Sequence, residues 1–296
     1  MQSIKLNFKN EKGESLAARL ELPVDTHPHN FALFAHCFTC NKNLTAVRNI
    51  SRALTEQGFA VMRFDFTGLG ESEGDFADTN FSSNVEDLVA AARFLEESYK
   101  APSLLIGHSL GGAAVLVAKH HLPEVKAVAT IGAPYDPAHV SHLFEESHEE
   151  IAQKGLALVN IGGRSFTIKK HFLDALASIE SNHIVKNLQA ALLVLHSPED
   201  AVVEIENATQ IYKHAQHPRS FVGLDEADHL LTRKEDSEYA GSIIATWATR
   251  YLEIPEEEDL KSHYQVVTQT GSEGYTTEIK AGRHRLTGDE PSSVGG

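Results

Sequence analysis

The sequence is poor in cysteine, in positive charge and in long apolar runs. Its 296 residues include two cysteines, Cys37 and Cys40, and this count excludes both a disulfide scaffold and a four-cysteine zinc site. The net charge of −15 argues against nucleic acid as a partner, because an acidic surface repels phosphate groups. The chain has no apolar run of the roughly 18 residues that span a membrane, and its first residues lack the apolar core of a signal peptide. We therefore expect a cytoplasmic protein that binds neither nucleic acid nor membrane.

Short apolar runs alternate with amphipathic, helix-length segments along most of the chain. Segments 3–9 and 16–22 alternate apolar and polar residues, which predicts an antiparallel hairpin with one wet face. Buried strands are predicted at 31–35, 59–64, 103–106, 125–131, 191–195 and 219–224. Helices are predicted at 44–57, 83–98, 110–121, 204–216 and 236–252. The second helix is expected to begin near Asn84, with the polar residues Ser82–Asn84 as its N-terminal cap. This order is typical of an α/β protein with a doubly wound, mostly parallel sheet of eight strands.

One connection between predicted strands is too long for a simple crossover. Residues 135–188 follow Ala133-Pro134 and contain a predicted hairpin at Leu156–Ile168 around two glycines. Insertions of this length in compact α/β domains are usually lids or binding loops. We expect this segment to form a small cap over the functional site.

The composition changes after residue 252, which predicts a main domain over residues 1–252. Residues 253–263 read as an acidic, proline-containing linker. Segments 264–269 and 275–280 are strand-like and predict a short β-hairpin within a tail over residues 264–296. A hairpin alone is marginally stable, so the tail is expected to dock onto the main domain, pair with another chain or stay mobile.

The pentapeptide Gly107-His108-Ser109-Leu110-Gly111 is the strongest functional motif in the chain. It follows a buried-type strand and leads directly into a helix-compatible run of small residues. This is the context of a nucleophile elbow, a sharp turn that exposes a serine hydroxyl above the sheet. G-x-S-x-G alone also occurs in ordinary glycine-rich turns, but its position here favours Ser109 as a nucleophile.

A serine hydroxyl needs a base and an orienting carboxylate before it can act as a nucleophile. Because the chain has 17 histidines, position rather than number must select the base. His229 lies shortly after the last predicted strand, and Asp200 follows the strand before it. Loops converge at this edge of an open α/β sheet, so the order Ser109, Asp200, His229 predicts a catalytic triad. A capping or surface pair is the alternative role for the histidine and the acid. The alternative acids are Glu199, Asp225 and Asp228.

When a serine attacks a carbonyl carbon, backbone donors must also stabilise the oxyanion of the tetrahedral intermediate. The N–H of Leu110, directly after the candidate nucleophile, is one predicted donor. The N–H of Phe38, in the loop after strand 31–35, is the second. His36 is expected to bond the backbone of this loop, and His108 to form a wall or a hydrogen bond beside the nucleophile.

Five motifs occur in a consistent order and spacing within the main domain. They are Phe34–Cys40 (FAHCFTC), Arg63–Ser72 (RFDFTGLGES), Gly107–Gly112 (GHSLGG), His196–Asp200 (HSPED) and Ala227–Leu231 (ADHLL). Together they resemble the α/β-hydrolase half of the bifunctional hydrolase/OsmC-like proteins of bacteria. The resemblance implies the α/β-hydrolase fold, with Ser109, Asp200 and His229 as the triad and Phe38 and Leu110 as oxyanion donors.

The tail carries a second resemblance. Residues 274–291 are similar to the opening strands of an OsmC-like domain, a module that reduces organic hydroperoxides through a pair of cysteines. No cysteine follows Cys40, so this peroxidase chemistry does not carry over, and a truncated OsmC-like segment is expected. Since OsmC-like domains pair as dimers, a homodimer formed through residues 264–296 is one hypothesis.

These observations predict a serine carboxylesterase that acts on small to medium acyl esters without a metal or an organic cofactor. Thioesterases, C–C bond hydrolases and peptidases use the same triad and remain alternatives. A haloalkane dehalogenase would need an aspartate in place of Ser109. Outside enzymes, the alternatives are a non-catalytic assembly module and a thiol sensor that uses Cys37 and Cys40.

Overall fold

A computed structural model of the chain describes residues 2–23, 27–161, 163–254, 264–270, 277–282 and 284–289. The strands are β1 (Gln2–Lys9), β2 (Ser15–Leu22), β3 (Asn30–Ala35), β4 (Phe59–Phe64), β5 (Leu104–His108), β6 (Ala127–Ile131), β7 (Leu156–Ile161), β8 (Arg164–Lys169), β9 (Ala191–His196), β10 (Arg219–Gly223), β11 (Val266–Thr270), β12 (Thr277–Ala281) and β13 (His284–Gly288). The α-helices are α1 (Thr45–Thr55), α2 (Phe81–Ser98), α3 (Leu110–Ala118), α4 (His148–Lys154), α5 (Lys170–Ala177), α6 (Ser181–Lys186), α7 (Glu206–His214) and α8 (Lys234–Ala248).

Eight strands form the main sheet in the order β1-β2-β4-β3-β5-β6-β9-β10. The pairs β1–β2 and β2–β4 are antiparallel, and every later pair in this order is parallel. This confirms the predicted fold class, an eight-stranded and mostly parallel sheet wound with helices. The carboxyl ends of β3, β5, β9 and β10 lie at one edge of the sheet, and the loops that follow them meet there.

The central strands are apolar because helices cover the sheet on both faces. Every residue of β3, β4, β5, β6 and β9 is buried. One apolar cluster includes Leu88 of α2 and Leu116 of α3, and the other includes Ile50 of α1 and Ile244 of α8. Continuous apolar strands are expected when both faces are covered, which is why the sequence runs predicted these strands.

Helix α2 begins earlier than the sequence analysis predicts. The expected start near Asn84, with Ser82–Asn84 as the cap, is wrong: the helix starts at Phe81 and Asn80 is its N-cap. The side-chain oxygen of Asn80 accepts from the N–H of Ser83 at 2.9 Å, and the Ser83 hydroxyl accepts from the N–H of Asn80 at 2.8 Å. This reciprocal capping box satisfies two donors that the helix start would otherwise leave unpaired, so Ser83 belongs to the first turn.

The insertion between β6 and β9 folds as a small helical segment with one hairpin. It contains a 3₁₀ segment at Pro137–Ser147, the helices α4, α5 and α6, and the antiparallel pair β7–β8, which confirms the hairpin predicted at Leu156–Ile168. Aromatic contacts join it to the main domain. The Phe38 ring lies 5.3 Å from that of Phe172, and the Phe76 ring lies 5.0 Å from that of Phe166.

The tail contains one more strand than the sequence predicts. β11 and β12 correspond to the predicted hairpin, and β13 extends it to an antiparallel sheet in the order β11-β12-β13. Most of the predicted acidic linker, residues 255–263, and the end of the chain, residues 290–296, lie outside the described residues. Within the described part of the chain, no helix combines the length and the apolar character needed to cross a membrane.

Candidate active site

Ser109 occupies a sharp turn between β5 and α3. Its backbone φ of +56° is a left-handed conformation that non-glycine residues rarely adopt, and such strain is common at functional positions. The flanking glycines allow the turn. A Cβ atom on Gly107 would lie 2.3 Å from the carbonyl oxygen of Gly111, and one on Gly111 would lie 2.4 Å from that of His36. The motif therefore has the strand–turn–helix geometry predicted for a nucleophile elbow.

The structure brings Ser109, His229 and Asp200 into one hydrogen-bonded chain. The Ser109 hydroxyl lies 2.9 Å from Nε2 of His229 and can donate to it. On the other side of the ring, the Nδ1–H of His229 donates to Oδ2 of Asp200 at 2.7 Å. Asp200 and Ser109 are both buried, and Ser109 and His229 line a cavity.

The three alternative acids have other partners or positions. Glu199 accepts from the backbone N–H of Glu226 at 3.0 Å, and Asp228 accepts from that of Thr232 at 2.8 Å. Within the described residues, neither of these acids nor Asp225 bonds to His229. Among the four candidate acids, Asp200 is the one that bonds to His229 within the described residues.

The surroundings of Asp200 favour its ionised form. Burial alone would raise the pKa of this carboxyl, but the hydrogen bond and the charge of His229 lower it, and so do the backbone N–H groups of Val203 and Val202. Both of these N–H groups donate to Oδ1 at 2.9 Å, while Oδ2 faces the imidazole. The carboxylate is thus held charged and fixed in direction.

The predicted oxyanion donors belong to two segments that line the cavity at Ser109. Leu110 is the first residue of α3, so its N–H is among the donors that a helix start leaves without an intrahelical acceptor. Phe38 lies in the loop after β3, and both residues line the same cavity as Ser109. A disulfide between Cys37 and Cys40 closes this loop around Phe38.

A buried ionic network holds the other end of the loop. Asp65 follows β4 and accepts from the backbone N–H of Lys42 at 2.6 Å and from its Nζ at 2.5 Å. Lys42 also pairs with Glu71 at 2.6 Å, and Nη1 of Arg63 donates to the Lys42 carbonyl. The Lys42 side chain is 1% exposed, so the carboxylates of Asp65 and Glu71 offset the cost of burying its charge.

Ser109 opens onto a cavity of about 600 Å³. The loop after β3 forms one wall, and residues of the insertion, among them His139, Val140 and Arg164, form another. Residues of the insertion thus line the same cavity as the serine. Within the described residues, no group of three or more His, Cys, Asp or Glu side chains is placed to hold a metal ion.

Comparison with known proteins places this fold in a family. The family model described as serine aminopeptidase, S33, matches residues 32–164. The crystal structure of the esterase domain from a Rhodothermus marinus protein is 53% identical, with an alignment that covers 85% of this chain and 99% of that one and a TM-score of 0.71. The chain belongs to the α/β-hydrolase family.

Two more distant relatives were found, one by structure and one by sequence. Ferulic acid-bound Est1E from Butyrivibrio proteoclasticus is 18% identical, with coverage of 83% of this chain and 98% of that one and a TM-score of 0.69. The mouse palmitoyl-protein thioesterase ABHD10 is 28% identical over 60% of this chain and 62% of its own length. The matches to the first curated relatives extend over 37–62% of those proteins.

The α/β-hydrolase site also contains three buried histidines at the ends of parallel strands. Each donates from one ring nitrogen to a main-chain carbonyl, because a carbonyl can only accept. The pairs are His36 Nδ1 with Cys37 at 2.8 Å, His108 Nε2 with His229 at 2.7 Å and His196 Nε2 with Val203 at 2.7 Å. Their carbonyl partners lie in the loop after β3 that carries the predicted oxyanion donor Phe38 (the oxyanion loop, residues 36–42), in the loop of His229 and in the loop of Asp200. The expected backbone bond of His36 and hydrogen-bonding role of His108 are therefore present.

The sequence analysis gave no role to His196, Lys42 or Arg164. A signal for His196 existed, since it ends a buried strand in the same way as His108. The sequence gave no signal that Lys42 is buried, because a lysine in a polar loop is ordinarily exposed. Arg164 lies in the insertion, and its closeness to the oxyanion loop depends on how that segment folds back over the sheet.

Proposed function

We propose that the protein is a serine carboxylesterase with Ser109 as the nucleophile, His229 as the general base and acid, and Asp200 as the orienting carboxylate. The observation that carries this proposal is the hydrogen-bonded chain from Asp200 through His229 to Ser109, with distances of 2.7 and 2.9 Å, at the floor of a cavity. The 53% identity to an esterase domain supports ester cleavage within the hydrolase family.

In the acylation step, the Ser109 oxygen attacks the ester carbonyl carbon while Nε2 of His229 takes the hydroxyl proton. The negative charge that develops on the carbonyl oxygen accepts from the N–H groups of Phe38 and Leu110. Asp200 holds the Nδ1–H tautomer and stabilises the imidazolium. The tetrahedral intermediate then breaks its bond to the alcohol oxygen, which leaves with the proton from Nε2.

Deacylation repeats these events with water as the nucleophile. Nε2 of His229 takes a proton from the water as its oxygen attacks the acyl carbon. The same two N–H groups bind the second oxyanion, and its collapse returns the proton to the Ser109 oxygen as the carboxylic acid forms. Nε2 of His229 thus takes up and releases the proton in both steps.

The Ser109→Ala variant tests this proposal. It should lower kcat/KM for p-nitrophenyl esters by about 10⁴-fold or more and abolish labelling by a fluorophosphonate probe, because the attacking oxygen is gone. Ser242→Ala, on the exposed side of α8, is the matched control and should react as the wild type does. Unchanged turnover in Ser109→Ala, with an intact circular dichroism spectrum, would reject the assignment. A wild type that neither turns over esters nor reacts with the probe would support a non-catalytic assembly module.

A thioesterase is the second candidate, because the mouse relative that is 28% identical is named a palmitoyl-protein thioesterase. The same triad can attack either carbonyl, so geometry alone does not separate the two. Matched acyl esters and acyl thioesters of the same chain length should be compared with the purified protein. A higher kcat/KM for the esters supports the carboxylesterase, and the reverse ranking supports the thioesterase.

A further inference from the structure

The cavity above Ser109 differs in charge from the rest of the molecule. The chain carries 41 acidic and 26 basic residues, yet none of the described residues that line this cavity is an aspartate or a glutamate. Arg164, from the first position of β8, does line it. An acidic protein thus presents a cavity whose one permanently charged lining group is a cation, within the described residues.

The guanidinium of Arg164 has unused donors. One Nη2–H donates to the carbonyl oxygen of Thr39, and the group lies 5.3 Å from the centre of the Phe166 ring. Among the described residues it forms no ion pair with a carboxylate. A guanidinium has five N–H donors in a planar fork, so several remain available for a group inside the cavity.

Arg164 lies close to the proposed oxyanion site, because it bonds to the residue after Phe38. Thr39 directly follows Phe38, the proposed oxyanion donor, and the Phe38 nitrogen and Thr39 oxygen are at most about 7 Å apart along two extended residues. The other basic groups of the wall are already engaged. His139 bonds to the Val202 carbonyl at 3.2 Å, and His142 lies 3.8 Å from Glu145, which is outside the cavity lining.

We propose that Arg164 binds a carboxylate carried by the substrate, so that the enzyme prefers esters with a second, anionic group. This proposal rests on the proposed esterase function and names its substrate class. A planar guanidinium matches a carboxylate through two parallel hydrogen bonds, and their strength exceeds that of bonds between neutral groups. The protein's net charge of −15 repels anions in general, so a preference for them requires a local cation.

Two matched substrate pairs test the preference, one for each side of the ester. For the acyl side, monomethyl glutarate is compared with methyl valerate by proton release. For the alcohol side, 4-acetoxybenzoate is compared with phenyl acetate. In the wild type, the ratio of anionic to neutral kcat/KM is expected to be about tenfold higher than in Arg164→Gln for at least one pair. Arg164→Lys should give an intermediate ratio, because a lysine keeps the charge without the fork.

The control is Arg93→Gln, which removes an exposed arginine of α2 that pairs with Glu11. It changes the net charge by the same amount and should leave both ratios as in the wild type. If Arg164→Gln lowers anionic and neutral turnover equally, the residue only supports the loop and the proposal is overturned. A wild-type ratio equal to that of Arg164→Gln for both pairs also overturns it. Turnover of the neutral esters by the wild type shows separately whether the esterase proposal holds.

Discussion

Three buried histidines bond to backbone carbonyls of the site. His108 and His196 each link the end of one parallel strand to a loop, and His36, directly after β3, bonds to the carbonyl of the next residue. Because each ring nitrogen that faces a carbonyl must carry a proton, the bonds fix the tautomer of a neutral ring. The second ring nitrogen of each has no hydrogen-bond partner among the described residues. A second proton on these rings would therefore be buried without an acceptor, which is costly.

Burial lowers the pKa of all three rings, and that of His108 falls from 6.5 to about 3, with the charge on His229 adding to the effect. A depressed folded-state pKa means that the unfolded chain binds more protons below pH 6.5. Stability is then full above pH 6.5 and is lost as the pH falls. Between about pH 6.5 and 4.5, the His108 ring should therefore reduce the free energy of unfolding by about 1.4 kcal/mol per pH unit, and His36 and His196 act in the same direction.

Urea unfolding of His108→Gln, followed across this pH range, checks the contribution of one ring. The amide can still donate to the His229 carbonyl but does not titrate. Its stability should therefore fall less steeply with acid than that of the wild type, by about 1.4 kcal/mol per pH unit. His120→Gln changes an exposed histidine and serves as the control. Parallel slopes for the wild type and His108→Gln would contradict this account.

A single methyl group at Gly111 should disturb both the elbow and the oxyanion loop. Its Cβ would lie 2.4 Å from the His36 carbonyl oxygen and 2.5 Å from that of Ala35, and neither backbone atom can move freely. Gly111→Ala should therefore lower the free energy of unfolding by about 1–3 kcal/mol, or prevent folding. Thermal unfolding measures the change. Gly288→Ala, whose Cβ would meet its nearest atom at 3.8 Å, should be close to neutral, and equal losses in both variants would refute the steric argument.

Among the structural elements, the loop from His36 to Lys42 carries the proposed oxyanion donor Phe38. The disulfide between Cys37 and Cys40 closes it around Phe38, Asp65 binds its end at Lys42, and Arg164 donates to its Thr39 carbonyl. A backbone N–H stabilises an oxyanion only if it already points at the developing charge. These restraints therefore favour preorganisation of the Phe38 N–H.

Removal of the disulfide should reduce turnover more than substrate binding. Complete loss of one oxyanion donor costs about 10²–10³ in kcat, so a loosened loop in Cys37→Ser/Cys40→Ser should cost about three- to tenfold. KM should change little, because the bond to the oxyanion forms in the transition state. Wild-type protein treated with dithiothreitol should behave like the double variant, whose own rate should not respond to the reductant. An unchanged kcat in both cases would show that the loop does not need the bridge.

At the scale of the whole molecule, the site is complete before the tail begins. Every strand of the main sheet and every residue of the proposed triad precede residue 254. The Glu253 carbonyl accepts from the side chain of Asn30 at 2.9 Å and so belongs to the main domain. The β11–β13 sheet has its own antiparallel pairing.

A chain that ends at Ile254 should therefore keep ester turnover within about twofold of the full chain, since burial of the main core is unchanged. Its oligomeric state, measured by light scattering, tests the hypothesis of a homodimer formed through residues 264–296. A full-length dimer and a shortened monomer would support that hypothesis. The same oligomeric state for both chains would count against it, and a large loss of turnover would show that the tail supports the site.

Prediction from the sequence succeeded where local pattern and topology agree. The buried strands β3 to β6 and β9, the turn at Ser109 and the position of Asp200 beside His229 followed from apolar runs, glycine spacing and position at a strand end. The expectation of a buried strand at 219–224 was wrong, because β10 is the last strand of the sheet and none of its residues is buried. The start of α2 was misplaced, because Asn80 and Asn84 are equally good caps in composition and only the bond to Ser83 distinguishes them. The third strand of the tail, β13, was missed because Arg285 and Thr287 give it no apolar alternation.

The sequence by itself determined the alternation of strands and helices, the turn that carries Ser109 and the residue types available for proton transfer. Those properties depend on near neighbours in the chain, through side-chain periodicity and the space that glycine leaves. The tertiary structure alone decided that Arg164 reaches the Thr39 carbonyl, that Lys42 is buried beside Asp65, and that His108 binds the carbonyl of His229. These contacts join residues far apart in sequence, and their energies depend on burial and distance, which exist only once the sheet and its insertion have packed together.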